Sequence, residues 1–156
     1  MNKVIKTSQL ALLAMISSIS NAGNLSISVD LLSYEQKKDY CSLTYSVTNN
    51  SWGTMYGLRI KTEAFDDRGS KLDGYAFGST INPFAAFWNP LVSIPSGSET
   101  TSSDLKYKGQ CKYMGSINAL EVPVNDCNIR MMPEEANCID IIEFKSSIDH
   151  ITLTRK

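Results

Sequence analysis

The chain carries a single histidine among its 156 residues. That scarcity removes most routes to nucleophilic catalysis, because Ser, Cys or Thr needs a poised base beside it. His150 lies in a polar run near the C-terminus with no acid or nucleophile arranged around it, and it reads as a solvated turn or edge residue. No G-x-S-x-G, P-loop, H-E-x-x-H or dinucleotide fingerprint occurs. No C-x-x-C occurs, and the lone histidine is remote from the cysteines, which argues against a metal site. Basic residues are not in excess, with 15 Lys+Arg against 16 Asp+Glu. Basic clusters stop at pairs such as Lys37-Lys38, so there is no stripe for nucleic acid. These absences predict a protein that is not an enzyme, holds no cofactor or metal and binds no nucleic acid.

What is present begins with an export pattern. Lys3 and Lys6 form a basic start, and "LALLAMI" (residues 10–16) is an apolar run too short to span a bilayer. Ser20-Asn21-Ala22 puts small residues at the −3 and −1 positions, predicting cleavage before Gly23. The alternative is a retained membrane anchor. Removing 22 residues from 156 leaves 134, enough for one domain with a real core. Without Lys3 and Lys6 the balance is 13 basic against 16 acidic, a net charge of −3. The expected organisation is a signal peptide over 1–22 and one domain over 23–156, periplasmic or secreted, with no membrane association after cleavage.

All four cysteines, Cys41, Cys111, Cys127 and Cys138, fall in that domain. An even count in an exported chain implies disulfides. Three connectivities are open, and chain entropy favours closing near neighbours. The preferred set is therefore Cys41–Cys111 and Cys127–Cys138. The short bridge is worth about 3 kcal/mol and the long one about 4 in the loop-entropy model.

The patterning is β. In "LSISVDL", Leu25, Ile27, Val29 and Leu31 alternate with polar residues, the period-two mark of a half-buried strand. "YEQKKD" reads as a charged connection. "YCSLTYSVTNN" puts Cys41, Leu43, Tyr45 and Val47 inward, and "NNSWG" is a turn cluster. "MYGLRIKTEAF" reads as one strand with Leu58, Ile60, Thr62 and Ala64 on one face. "DDRGS" turns the chain. "KLDGYAFG" reads as a short strand with Tyr75 and Phe77 on one face. "TTSSDLKYKG" suits an exposed or edge strand, and "SINALEVPV" a strand stopped near Pro123. The segment from Cys127 to Cys138 reads as a loop or helical turn. "CIDIIEF" and "HITLT" are the last strand candidates, the first ambiguous because its apolar residues fall on both faces. Eight or nine short strands without a long helix predict a β-sandwich or barrel, and a two-sheet sandwich fits better.

"YSVTNNSWGTMYGLRIKTEAFDDRGSKL" resembles a pattern of Ig-like and fibronectin III-like bacterial domains. A strand ends in Val-x-Asn, a turn follows, the next strand ends in aromatic-Asp, and Gly turns the chain. "IPSGSETTSSDLKYKGQC" resembles their Pro-x-Gly-then-strand passage. The plan, over residues 25–125, is similar to small exported fibronectin III-like proteins of Gram-negative bacteria, the IrmA-type interleukin receptor mimics among them. That resemblance implies an Ig/fibronectin III-like antiparallel β-sandwich, secretion, and binding to host immune proteins. It carries over no binding residue position by position.

Paired carboxylates carry little chemistry. Asp66-Asp67 would point to opposite faces of a strand and reads as hairpin-turn chemistry. A calcium site there would lack the usual acidic spacing. Glu134-Glu135 falls inside the small cysteine loop. Binding is the better reading, because aromatics outside clear strand interiors are natural contact anchors. The candidates are Trp52 and Tyr56 around one turn, and Phe84, Phe87 and Trp88 in "NPFAAFWNP". In that last stretch Asn82 suits an N-cap and Pro83 the first helical position. Phe84, Phe87 and Trp88 would then share one face. An inward-facing plug is favoured over an exposed patch, which would suit a partner or a homodimer.

The leading expectation is thus an exported module that binds another protein. One alternative is a pilus or adhesin assembly or structural subunit, with "LSISVDL" as a donor strand. Against it, the C-terminus lacks the aromatic expected of pilins. Another is an enzyme inhibitor that inserts the Cys127–Cys138 loop.

Overall fold

The computed structural model describes residues 26–76, 78–84, 93–122, 127–130 and 138–156, without the side chains of Glu121 and Cys138. The expected leader, Leu25, Phe77, Phe87, Trp88, Pro123 and Glu134-Glu135 lie outside the described residues.

Strand alternation builds the first sheet. Strands β1 (Ile27–Gln36) and β2 (Tyr40–Asn49) pair antiparallel, and β2 pairs antiparallel with β7 (Ser98–Lys108). Ile27, Val29 and Leu31 on β1, and Cys41, Leu43, Tyr45 and Val47 on β2, are all fully buried, in the phase their period-two spacing predicts. The strand β10 (Ile142–Ser146) closes this sheet beside β1, giving the order β10-β1-β2-β7. "YEQKKD" is not wholly a connection. β1 runs on to Gln36 through a bulge between Leu31 and Ser33.

The second sheet is built on β4 (Ile60–Asp66) and β8 (Met114–Glu121), flanked by β11 (Thr152–Arg155) and the two-residue β5 (Lys71–Leu72) and β6 (Thr80–Ile81). A ribbon of β3 (Met55–Leu58) and β9 (Cys127–Ile129) stands beside the two sheets. One buried cluster draws on β1, β2 and β7 of the first sheet and on β4, β6, β8 and β11 of the second. Burying each large apolar side chain in it contributes about 2 kcal/mol. The Thr62 and Tyr107 hydroxyls meet at 2.5 Å between β4 and β7, a polar pin between the sheets inside this apolar layer.

Three expectations change. The chain is all-β, but two pairs are parallel: β1 with β10, and β8 with β11. After β8 the chain adds β10 to the first sheet before returning as β11 to the second. That crossover reverses direction relative to a simple meander, and alternation of side chains carries no information about it. "MYGLRIKTEAF" breaks at Arg59 into β3 and β4, which pair with different partners. The inward phase of Leu58, Ile60, Thr62 and Ala64 survives the break. "KLDGYAFG" is a strand for two residues only. Ala76 adopts a positive φ of 54° and Gly78 N–H bonds back to the Tyr75 carbonyl at 3.0 Å, so the chain turns there.

The ambiguous "CIDIIEF" resolves into a 3-10 turn (Cys138–Ile141) followed by β10, which is why its isoleucines fell on both faces. Asp66 organises the predicted "DDRGS" turn. Its Oδ1 accepts from Arg68 N–H at 3.0 Å and Ser70 N–H at 2.6 Å, while Gly69 takes the positive φ of 82°.

Cys41 and Cys111 form a disulfide, with Cα atoms 4.9 Å apart, as the sequence predicts. Cys127 is also disulfide-bonded. Its expected pairing with Cys138 falls on a side chain outside the described set, so of the two predicted bridges one is described in full.

Candidate functional site

The turn after β2 is built around a buried side chain. Asn49 is fully buried at the end of β2. Its Nδ2 donates to the carbonyls of Gly53 and Ile94, both at 2.8 Å. Its Oδ1 accepts from Ser51 N–H at 3.1 Å and from the Ser51 hydroxyl at 2.5 Å. All hydrogen-bonding positions used by this amide are satisfied, so its burial costs little. Gly53 lies so close to the β9 end that a Cβ there would stand 2.0 Å from the Arg130 carbonyl oxygen. Arg130 N–H in turn bonds to the Thr54 carbonyl at 2.9 Å.

Between the buried Ser51 and Gly53, Trp52 is 54% exposed. Tyr56 follows on β3 and is 45% exposed, between the buried Met55 and the half-buried Gly57. Two large aromatics therefore point outward from a backbone clamped on both sides.

The opening of "NPFAAFWNP" is held differently. Phe84 N–H bonds to Asn82 Oδ1 at 3.1 Å, and the helical turn that Asn82 is expected to cap runs on into residues outside the described set. Asn82 N–H bonds to the Tyr45 hydroxyl at 2.8 Å, and that hydroxyl donates to Asp104 Oδ1 at 2.7 Å. Ser102 Oγ donates to the same carboxylate oxygen at 2.9 Å. Burial pushes the Tyr45 phenol far above its ordinary range, and the Asp104 charge and hydrogen bond add to the effect. The proton therefore stays on Tyr45, and Phe84 packs half-buried against the core. Phe87 and Trp88 lie outside the described residues.

The remaining sequence candidates do not converge. His150 sits in the exposed turn before β11. Its Nε2 is 3.3 Å from the Cys111 carbonyl oxygen, and its ring meets Tyr34 edge-on at 5.4 Å. Asp66 and Asp67 belong to the hairpin turn. No metal-holding cluster of His, Cys, Asp or Glu occurs among the described residues. No helix among them is long and apolar enough to cross a membrane. Sequence reasoning missed two residues: Asn49, read as part of a polar turn cluster, and Tyr34, read as part of a connection.

No family model, curated protein or solved structure matches the chain.

Proposed function

We propose that this chain is an exported protein-binding module of Ig/fibronectin III-like character, and that Trp52 and Tyr56 anchor its partner. One observation carries the reading. Trp52 is 54% exposed while the residues on either side of it are buried and hydrogen-bonded. An exposed aromatic on a fixed backbone loses little entropy on binding, and that combination marks interface hot spots. The Cys41–Cys111 bridge suits an oxidising compartment. Binding to a host immune protein, after the resemblance in plan, is the preferred form of partner.

The experiment is a pull-down with the purified protein from serum, periplasmic extract and immune-cell surfaces, alongside Trp52→Ala and Tyr56→Ala. A partner captured by the parent and lost with either variant, at unchanged melting temperature, supports the proposal. Capture that is indifferent to both substitutions, or no capture from any source, defeats it. Against the donor-strand alternative, residues 27–31 lie between β2 and β10 of the chain's own sheet, paired on both edges.

A further inference from the structure

The inner face of β1 changes character along its length. Ile27, Val29 and Leu31 are fully buried on it. Beyond the bulge after Leu31, Tyr34 pairs with Leu43 and Gln36 with Cys41, both buried partners, so Tyr34 and Gln36 still belong to the inner face. Yet Tyr34 is 44% exposed and Gln36 is exposed. β10 has ended at Ser146, opposite Leu31, and the sandwich opens. The result is an open cleft of about 550 Å³ lined by Tyr34, Lys37, Lys38, Gln110, Cys111 and Lys112.

The floor of this cleft is rigid. Gln36 Oε1 accepts from Cys111 N–H at 2.7 Å, and its Nε2 donates to the Tyr40 carbonyl at 3.2 Å and the Gly109 carbonyl at 3.3 Å. The Cys41–Cys111 bridge ties the same two segments covalently. His150 supports Tyr34 from the side. Three lysines line the cleft, and no carboxylate does. Glu35 takes the Lys37 ammonium, and the Lys112 ammonium lies 4.6 Å over the Tyr113 ring. The chain as a whole is net negative, so this local excess of ammonium runs against its average charge.

We propose that the cleft is a docking site for an extended acidic segment of a protein partner. Lys38 and Lys112 take its carboxylates, and a neighbouring apolar side chain lies on Tyr34. Charge complementarity selects this occupant. A negative segment meets an attraction here that the net-negative chain does not offer on average, so orientation is set during encounter. The ring of Tyr34 and the Gln110 amide supply what charge alone does not: an apolar plate and a directional polar group. The site is distinct from the Trp52 turn. The two lie at opposite ends of β2, a ten-residue strand about 30 Å long.

The test is fluorescence anisotropy with a fluorescein-labelled pentapeptide in which glutamates flank one central tyrosine. The expected result is saturable binding that weakens as salt is raised from about 50 to about 300 mM. The double variant Lys38→Gln/Lys112→Gln should bind about tenfold more weakly, and Tyr34→Ala a few-fold more weakly. All three positions are exposed, and a thermal melt confirms that the variants fold. Trp52→Ala should bind the peptide as the parent does, which separates this proposal from the preceding one. Absence of saturable binding, equal binding by the lysine double variant, or equal binding of a lysine-substituted peptide overturns it. So does displacement by a sulfated oligosaccharide at lower concentration than unlabelled peptide, which would assign the cleft to a different class of polyanion.

Discussion

Replacing Asn49 tests whether one buried amide holds the Trp52 turn in place. Asn49→Ala removes four hydrogen bonds: two donated to the Gly53 and Ile94 carbonyls and two accepted from Ser51. Each is worth about 1 kcal/mol net. Part is recovered, because Ser51 Oγ already lies 3.0 Å from the Gly53 carbonyl oxygen, and Ile94 O keeps its bond from Met55 N–H. The expected loss is about 3 kcal/mol. With a urea slope of about 2 kcal/mol/M for a domain of this size, the unfolding midpoint should fall by about 1.5 M.

Asn49→Asp keeps the shape and is the sharper probe. It removes both donors and sets a carboxylate against two carbonyl oxygens in a dry site, so at neutral pH it should cost more than the alanine variant, about 4 kcal/mol or above. Burial and those carbonyls favour the protonated acid, raising the folded-state pKa of the new group above its unfolded value near 4. In the window between the two values the folded form binds more protons. Stability of Asn49→Asp therefore falls as pH rises through that window and recovers on acidification from neutral towards about pH 5. Urea melts followed by far-UV circular dichroism at two pH values measure all of this. A midpoint shift under about 0.5 M for the alanine variant, or an aspartate variant as stable as alanine at neutral pH, would refute the account.

Three other outcomes are expected. In Trp88→Phe, Trp52 is the one remaining tryptophan, and its emission should be water-like and readily quenched by acrylamide; a blue-shifted, shielded emission contradicts its exposure. Burial pushes the Tyr107 phenol up to about 12, opposed by the Thr62 hydrogen bond and helped by the Glu63 charge. Because this value lies above the unfolded one near 10, the contribution is intact below pH 10 and is lost as pH rises towards 12. Tyr107→Phe should flatten that alkaline decline in a pH series of melts. Replacing Cys41 and Cys111 together with alanine should cost about 4 kcal/mol, given a sequence separation of 70, seen as a lower urea midpoint under non-reducing conditions.

Much of the layered β architecture was legible because it rests on period-two burial. The inward sets on β1, β2 and β4 follow from alternation alone. What stayed hidden depends on partners and direction. The break at Arg59 keeps Leu58 and Ile60 in phase, so no change of pattern marks the switch from β9 to β8 as neighbour. The left-handed turn at Ala76 uses a residue without turn propensity. The parallel pairs need knowledge of where the chain travels between them.

The site shows the same division. Exposure of Trp52 and Tyr56 was readable from their position beside a turn. The buried role of Asn49 was not, because an Asn in a polar cluster usually faces water. Its one trace is its position ending an alternating strand. Tyr34 was obscured by the charged run after it, of which the structure places Glu35 on β1, where that strand runs on to Gln36 past the end of its neighbour β10.

The two parallel pairs bear on how the sheet edges are protected. β10 shields one edge of β1, and β11 one edge of β8, and both come from the last fifteen residues of the chain. Until those residues are available, each sheet ends in raw backbone donors and acceptors, an invitation to aggregation or proteolysis. With them in place, the sheet edges at those two positions are β10 and β11 themselves, strands of five and four residues. Short edges are poor templates for another chain, and each parallel pair covers part of a longer strand with a shorter one.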